Sequence, residues 1–317
     1  MSESGVERVI LKTDTFQMVV LPALGGKIAS MVALRQNVEL MQQPLAPYAP
    51  RTMTMGFEES DASGFDECLP SVAACEVETA AGRRLIPDHG EFWRLPHTWE
   101  LNGQELRLSA KGESLPLRFE RTLRAEGNVL TIDYSVRNEG DFPVEYAWSA
   151  HPLFIADKGD RVVLPASVSE IRVEGSGGGR LGAKGTVHPW PHTKSSAGEA
   201  VDLSVAESIT DETGDKIYAA SPAEGWAALE RRQHGLRIDV RYDASKLSSL
   251  GLWLCYGGWP EGSESRQQCV AIEPCTAPDD SLATAMEKGW AKKLAPGGSD
   301  DWRMQIEIRD VMEHSSH

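Results

Sequence analysis

One carboxylate stands at the end of an apolar run in the last sixth of the chain. The stretch CVAIEPCTAPDDS (residues 269–281) places the apolar letters VAI directly before Glu273, and Pro274 follows. Because burial of an unpaired charge is costly, such a carboxylate is hydrogen-bonded, neutral, or both, unless it faces solvent. Each of the buried states suits a group that transfers protons. A plain strand end in solvent explains the same letters, so other residues must decide.

Three further stretches place titratable side chains where an apolar segment meets a turn. Residues at such edges of a rigid sheet are firmly held and still reach solvent. Each residue alone is explained as well by a turn, a cap or the core. The stretches are GFDECLPS (64–71) with Asp66 and Glu67, IPDHGEFWRLPH (86–97) with His89 beside Trp93 and Arg94, and EYAWSAHPLFIAD (145–157) with His151 before Pro152.

Alternation of apolar and polar residues dominates the elements that must hold these side chains. A period of two residues predicts a half-buried β-strand. The opening letters FQMVVLP, ALGG and KIASMVAL predict a hairpin around a glycine-rich turn, and AEGN (125–128) predicts another turn. The sequence therefore predicts an all-β chain folded as a large antiparallel β-sandwich. The alternating runs are 117–124, 130–137, 236–242, 250–256 and 302–310.

Helices and linkers are few in this sequence. The best helical segment is SLATAMEKGWAKKL (281–294), although Gly289 interrupts it. The stretch 174–200 is rich in glycine and punctuated by prolines, and it predicts a long mobile loop excursion within a single domain that spans 1–317. We expect His188 and His192 to be solvated in that excursion, and His314 and His317 to belong to a frayed tail.

Composition excludes several classes of partner. The 317 residues include 32 basic and 47 acidic side chains, a net charge of −15, so a polyanion such as nucleic acid would be repelled. The first residues lack a signal peptide pattern, and no apolar run approaches the roughly 18–20 residues that span a bilayer. Five cysteines without a CxxC pair are typical of reduced buried thiols. We expect a cytoplasmic protein without a membrane partner, either a monomer or a homodimer.

Four short motifs together resemble one family. They are LPALGGKIASM (21–31), DHG (88–90), SAHPLF (149–154) and IEP (272–274), and they occur in the order seen in the galactose mutarotase, or aldose 1-epimerase, family. The resemblance spans nearly the whole chain. It implies a galactose mutarotase-like supersandwich with few short helices and a cleft for a small-molecule sugar. It also implies an isomerase that interconverts sugar anomers by acid–base ring opening and needs no cofactor and no metal.

The resemblance assigns a role to each motif residue. Glu273 would be the base that takes the proton of the anomeric hydroxyl, and His151 would be the acid that protonates the ring oxygen. His89 would bind the sugar. Asp215, in the stretch DKIY, would hold sugar hydroxyls, and Arg94 would substitute for an arginine motif that this chain lacks. An imidazolium with a pKa near 6.5 and a carboxylate with a pKa near 4.3 suit these roles close to neutral pH.

Departures from the family pattern leave alternatives open. Ala150 and Leu153 stand where the family carries polar and aromatic residues, so the sugar, and whether it is phosphorylated, stays undecided. One alternative is a sugar-binding protein without turnover. Another is a hydrolase or lyase in which Asp66 or Glu67 partners Glu273, which requires carboxyl groups roughly 5–10 Å apart. A zinc ion held by His89, His151 and Glu273 is a further, minor variant. Trp93 or Trp253 would stack on the sugar ring.

Overall fold

The computed structural model describes residues 6–220 and 222–311, so the predicted tail with His314 and His317 lies outside the described residues. The described chain contains one α-helix, α1 (Leu282–Glu287), and four short 3-10 turns, at Phe57–Glu59, Gly177–Gly179, Ile209–Asp211 and Arg232–His234. Its strands are β1 (Val9–Lys12), β2 (Phe16–Leu21), β3 (Lys27–Ala33), β4 (Val38–Glu39), β5 (Phe65–Cys68), β6 (Cys75–Thr79), β7 (Gly82–Ile86), β8 (Thr98–Asn102), β9 (Glu105–Lys111), β10 (Leu117–Glu126), β11 (Val129–Asn138), β12 (Val144–Tyr146), β13 (Ser149–Ile155), β14 (Arg161–Val163), β15 (Glu170–Ser176), β16 (Val187–Pro189), β17 (His192–Lys194), β18 (Ala200–Asp202), β19 (Thr213–Ala220), β20 (Trp226–Arg231), β21 (Leu236–Tyr242), β22 (Ser249–Tyr256), β23 (Gln268–Cys275), β24 (Lys292–Leu294) and β25 (Ser299–Asp310).

Two large antiparallel sheets form the body of the protein. The first, of 11 strands, runs β1-β2-β3-β5-β13-β23-β22-β19-β15-β16, with β4 beside β3. The second, of 8 strands, runs β14-β20-β21-β25-β11-β10-β9-β8. Three two-stranded pairs, β6-β7, β12-β24 and β17-β18, lie outside them. The predicted all-β antiparallel β-sandwich is confirmed.

A buried polar contact joins the two sheets. Glu67 on β5 of the first sheet accepts a hydrogen bond from Arg121 on β10 of the second, at 2.6 Å. Tyr134 on β11 and the indole of Trp148 donate to the same carboxylate, each at 3.0 Å. Because a buried carboxylate needs such partners, this cluster fixes how the first sheet lies on the second.

The strands of the second sheet follow the predicted alternation. On β10 and β11 the inward residues, such as Phe119 and Ile132, are fully buried, and the residues between them are partly exposed. The hairpin of β2 and β3 also forms as predicted. The turn predicted at 125–128 is shorter in the structure, because β10 continues to Glu126 and β11 begins at Val129.

Three central strands of the first sheet, β13, β22 and β23, are buried on both faces. One face packs into the core against the second sheet. The other is covered by a small separate apolar cluster that includes Phe57, Ala62 and Trp93. Strand β23 does not end at Pro274 as the sequence suggested, since Cys275 still pairs with Ser249. Glu273 is therefore an interior strand residue with no exposed surface.

The predicted helix at 281–294 forms only in its first half. Ser281 caps α1 by accepting a hydrogen bond from the Thr284 amide. The helix stops before Gly289, whose φ of 69° is in the left-handed region. Residues after it form β24, which pairs with β12. Within the described ranges, no helix is long and apolar enough to cross a membrane.

The stretch 174–200 is partly regular. It contains the end of β15, the strands β16 and β17, and the first residue of β18. The ring of His188, expected in solvent, is held between the carbonyl of Leu181 and the hydroxyl of Thr193, at 2.7 Å from each. His192 is exposed, as expected.

Candidate active site

A cavity opens on the outer face of the first sheet, the face that the small apolar cluster around Phe57 covers. Its volume is about 160 Å³, close to the roughly 150 Å³ of a cavity that holds one benzene ring. Three wider depressions on the described surface, of 640 to 900 Å³, contain no histidine. The cavity walls include the aromatic side chains of Phe57, Trp253 and Trp259, and its titratable lining is His89, His151, Lys216, Glu273 and Asp280.

Strand register places the polar groups side by side. Ser149 pairs with Cys275 and Leu153 pairs with Ala271, so His151 on β13 lies level with Glu273 on β23. On the other side of Glu273, β22 contributes Gly251 at the paired position. A Cβ atom at that position would lie 2.9 Å from the Glu273 carboxylate. The absent side chain of Gly251 therefore makes room for the carboxylate.

Glu273 is the centre of the polar lining. Lys216 on β19 donates a hydrogen bond to its Oε2 atom. Its other oxygen, Oε1, is 3.8 Å from Nε2 of His151 and has no hydrogen-bond partner among the described groups. The ammonium of Lys216 compensates the buried negative charge, and Oε1 keeps free lone pairs that face the histidine. A carboxylate held in this way can accept a proton through Oε1.

His151 differs from the sequence expectation in its charge. Burial lowers the pKa of His151 well below its ordinary value, and the positive charges of His89 and Lys216 lower it further. At neutral pH the structure therefore favours a neutral imidazole over the expected imidazolium. A neutral ring still carries one N–H donor, and a neutral histidine can polarise a substrate oxygen through it.

His89 reaches the cavity from a strained turn. Its φ is 56°, in the left-handed region, and Gly90 follows with a φ of 70°. Nδ1 of His89 is 3.0 Å from a carboxylate oxygen of Asp88, and the ring stacks on Phe57 with centroids 4.2 Å apart. Burial would raise the pKa of Asp88, but the hydrogen bond and charge of His89 bring that pKa below its ordinary value. Asp88 thus fixes the orientation of the imidazole.

Lys216 and Asp280 line the cavity and were missed by the sequence reasoning. Nζ of Lys216 is 3.9 Å from Asp280, which also accepts a hydrogen bond from Tyr218 at 2.6 Å. No signal in the sequence marked Lys216, because both faces of β19 are largely buried and its residues do not alternate. Residues 216 and 218 share one face of that strand, and 215 lies on the other. Asp280 belongs to the quoted stretch 269–281 but follows the strand, where no periodicity applies.

Two residues expected to bind substrate lie elsewhere. Asp215 points to the opposite face of β19, where Ser176 donates to it at 2.6 Å and Arg180 lies at 3.3 Å. Arg94 is 3% exposed, lies over the ring of Trp93, and donates to the carbonyl oxygens of Gly90 and Met55. The structure brings neither side chain to the cavity. Of the two tryptophans considered as sugar platforms, Trp253 lines the cavity and Trp93 does not.

Asp66 and Glu67, the two acids of the stretch 64–71, also make their contacts away from the cavity. Asp66 lies 2.7 Å from Lys27 and 3.2 Å from Arg51 in a buried ion-pair cluster. Glu67 holds Arg121 in the contact between the two sheets. Neither carboxylate lines the cavity with Glu273, so the structure offers no second acid there from this motif.

A group of possible metal ligands lies at the same place. Cys68 on β5 offers its sulfur, and His89 and His151 each offer a ring nitrogen, with all three atoms within 4.8 Å of one another. Glu273, which the sequence placed in a zinc variant with the two histidines, is not part of this group.

Comparison by sequence gives no relative. No sequence model of a protein family matches the chain. No curated protein matches it either.

Comparison by structure gives several similar folds. A candidate aldose 1-epimerase of Escherichia coli K12 superposes with a TM-score of 0.71 at 16% identity, covering 97% of this chain and 100% of the other. A galactose mutarotase-like protein of Lactobacillus casei ATCC 334 gives 0.70 at 14% identity, covering 96% and 100%. A galactose mutarotase related enzyme of Lactobacillus acidophilus gives 0.69 at 15%, covering 97% and 99%. The fold of this chain is therefore the galactose mutarotase-like fold over nearly its whole length.

Proposed function

We propose that this protein, which has the galactose mutarotase-like fold, is an aldose 1-epimerase that interconverts the α and β anomers of a free sugar in the cavity at Glu273. One observation carries the proposal. His89, His151 and Glu273 come from three distant parts of the chain and line one cavity of about 160 Å³. Such convergence of titratable groups in a concave site is typical of an active site.

The reaction needs only proton transfers. Glu273 accepts the proton of the anomeric hydroxyl through its free Oε1, while a neighbouring donor gives a proton to the ring oxygen. The bond between the anomeric carbon and the ring oxygen breaks, which leaves an aldehyde and a hydroxyl. The aldehyde carbon rotates, and closure with the proton transfers reversed gives the other anomer. No electrons are exchanged, so the reaction as written requires no cofactor.

The neighbours of Glu273 have distinct parts in this scheme. His151, a neutral imidazole, gives its N–H proton to the ring oxygen and remains an imidazolate until ring closure returns that proton. Lys216 supplies a positive charge beside the carboxylate and the reacting atoms. His89, whose ring centroid is 5.2 Å from that of His151, hydrogen-bonds to sugar hydroxyls beside it. Trp253 and Trp259 offer flat apolar surfaces to the ring. Each well-placed acid or base contributes about 10²–10⁴-fold to the rate.

The first prediction concerns Glu273→Gln. The amide keeps the shape of the side chain and cannot accept the anomeric proton, so we expect anomer exchange to slow by about 10²–10⁴-fold. The measurement is the exchange rate of a panel of free aldoses, followed by magnetisation-exchange NMR and by polarimetry. The matched control is Glu100→Gln on the exposed strand β8, which should keep the wild-type rate. A panel in which no sugar responds, or an unchanged rate in Glu273→Gln, rejects the proposal.

A second function is favoured by one observation. Ala150 and Leu153 stand where the family carries polar and aromatic residues. The expected anchors Arg94 and Asp215 do not line the cavity, so the substrate-anchoring groups of the family pattern are altered. A binding protein of this kind would show calorimetric sugar binding together with anomer exchange at the spontaneous rate. The same sugar panel therefore separates the two functions.

A further inference from the structure

Three side chains beneath the cavity converge on one point. Cys68 pairs with Ser149 and Asp66 pairs with His151 across β5 and β13, so Cys68 and His151 project from the same face of two neighbouring strands. His89 arrives from its left-handed turn, and its ring centroid is 5.2 Å from that of His151. One sulfur and two imidazole nitrogens therefore lie within 4.8 Å of one another.

The hydrogen bonding of this group is incomplete. Nδ1 of His151 is buried and has no hydrogen-bond partner among the described residues. Cys68 is 1% exposed, and the structure records no hydrogen bond for its thiol. The other four cysteines, Cys75, Cys255, Cys269 and Cys275, each have a sulfur hydrogen bond. Buried polar atoms without partners are uncommon, and here they point to a missing ligand.

The surroundings of His89 match those of a metal-binding histidine. Its Nδ1 is held by the carboxylate of Asp88 at 3.0 Å, which leaves its other ring nitrogen available. Asp88 is itself anchored by the backbone amide of Phe57 at 2.9 Å. A carboxylate that orients a histidine in this way is the usual second layer of a zinc site.

We propose that Cys68, His89 and His151 form a binding site for Zn²⁺ or a similar borderline-soft divalent cation. Zinc binds thiolate and imidazole at about 2.0–2.3 Å, which places tetrahedral ligand atoms about 3.3–3.8 Å apart. The three atoms lie within 4.8 Å of one another, so side-chain displacements of about 1 Å bring them to that spacing. On binding, the thiol of Cys68 releases its proton and the two imidazoles bind through neutral nitrogens. The fourth position faces the cavity, where Glu273 lies.

Metal binding at this site has a consequence for the cavity, which rests on the proposed function. The cation would occupy the ring nitrogen of His89 that is available to the sugar, and it would fix the ring of His151, whose Nε2 faces Glu273. Zinc would therefore act as an inhibitor of anomer exchange rather than as its cofactor. At saturating zinc we expect a loss on the order of 10²-fold, the contribution of one acid–base group.

Cobalt titration of the full chain tests the site directly. Co²⁺ replaces Zn²⁺ in tetrahedral sites, and thiolate ligation gives a charge-transfer absorption in the near ultraviolet that histidines alone do not give. We expect this absorption to saturate at one cobalt per chain and to be displaced by Zn²⁺. Cys68→Ser should abolish it. The matched control is Cys75→Ser, because Cys75 is the more exposed thiol and lies outside the group; this variant should keep the absorption.

Two results would overturn the site. One is wild-type protein that gives no thiolate absorption at one equivalent of cobalt, which requires no variant to fold. The other is an absorption that survives in both Cys68→Ser and Cys68→Ala.

Zinc inhibition is measured separately. For each variant, the anomer-exchange rate with zinc is divided by the rate without zinc. Zinc should slow wild type and Cys75→Ser and leave the ratio for Cys68→Ser near one. If the cobalt absorption forms but no sugar exchanges in metal-free protein, the proposed function fails and the metal site stands. If anomer exchange is present and no cobalt absorption forms, the metal site fails and the proposed function stands.

Discussion

The proposed chemistry at the residue scale depends on one buried ion pair. Lys216 is 8% exposed and Glu273 is fully buried, so neither charge has water to compensate it. Removal of one partner from a buried pair leaves the other as an isolated charge, which is far more costly than removal of both. The same contact therefore serves stability and holds the carboxylate in place.

A double-mutant cycle tests this contact. Lys216→Met should lower the free energy of unfolding by about 3–5 kcal/mol, because the Glu273 carboxylate loses its compensating charge. In the background of Glu273→Gln the same substitution should cost less, with a coupling of about 1–3 kcal/mol. Urea denaturation of the four proteins measures both values. Lys246→Met, at an exposed ion pair with Asp300, is the control and should change stability by less than about 1 kcal/mol. Additive effects at Lys216 and Glu273 would show that the pair does not couple.

The sequence predicted three of the five titratable groups in the cavity lining. His89, His151 and Glu273 are recognisable because their types suit proton transfer and because they recur in an ordered set of motifs. Lys216 was not predicted, since a lysine beside Asp215 carries no chemical signal of its own. Its side of β19 could not be deduced from exposure either, because both faces of that strand are largely buried.

At the scale of elements, the neighbouring strands set the position of the Glu273 carboxylate as strictly as its own strand does. Strand β22 passes Glu273 with Gly251, and Lys216 on the next strand, β19, contacts Glu273 across that gap. Any side chain at position 251 would enter the space that the carboxylate and Tyr218 occupy. The glycine is therefore part of the site although it has no functional group.

Gly251→Ala tests this steric argument. The new methyl carbon would lie 2.9 Å from Oε2 of Glu273 and 3.1 Å from Tyr218, so the carboxylate must move. A displacement of about 1 Å can cost about 10²-fold in rate, and we expect a loss of that order with the fold retained. Anomer-exchange rates and circular dichroism measure the two effects. Gly175→Ala on β15 is the control, because a Cβ there meets no atom within 4 Å. Equal rates in wild type and Gly251→Ala would contradict the argument.

Alternation predicted the strands of the second sheet better than it predicted those of the site. β10, β11 and β25 face solvent on one side, so their sequences alternate and their bounds are nearly as expected. β13 and β23 are covered on both faces, and their sequences carry little periodicity. Loop segments around Phe57 and Ala62 cover the outer face of these strands, and no local sequence pattern predicts the conformation of those loops.

At the scale of the whole molecule, the polar groups divide between two faces of the first sheet. The inner face holds Glu67 against Arg121 of the second sheet, and the outer face holds Glu273 in the cavity. The inner contact is a structural element that the proposed reaction does not use. Because Glu67 and His151 lie on adjacent strands, the packing of the two sheets also positions the site.

His97 lies in this packing, and it makes the stability of the whole molecule depend on pH. Burial, together with the smaller effect of the Arg121 charge, lowers the pKa of His97 from 6.5 to about 3, although a hydrogen bond to the carbonyl of Phe92 opposes the shift. The unfolded chain binds a proton at His97 below pH 6.5, whereas the folded chain does so only near pH 3. The contribution of His97 to stability is therefore fully present above pH 6.5 and is lost as the pH falls from 6.5 towards 3, by at most about 1.4 kcal/mol per pH unit.

Replacement of His97 should flatten this dependence. We expect His97→Gln to lower the free energy of unfolding at pH 7.5 and to reduce its decline between pH 6.5 and 4.5 by up to about 1.4 kcal/mol per unit, because glutamine does not titrate. Urea denaturation across that range gives the slopes, and comparison of slopes removes the constant cost of the substitution. His192→Gln is the control, since its side chain is 77% exposed and should leave the slope unchanged. A wild-type slope in His97→Gln would assign the acid sensitivity of the fold to other groups and would show that His97 does not stay neutral when buried.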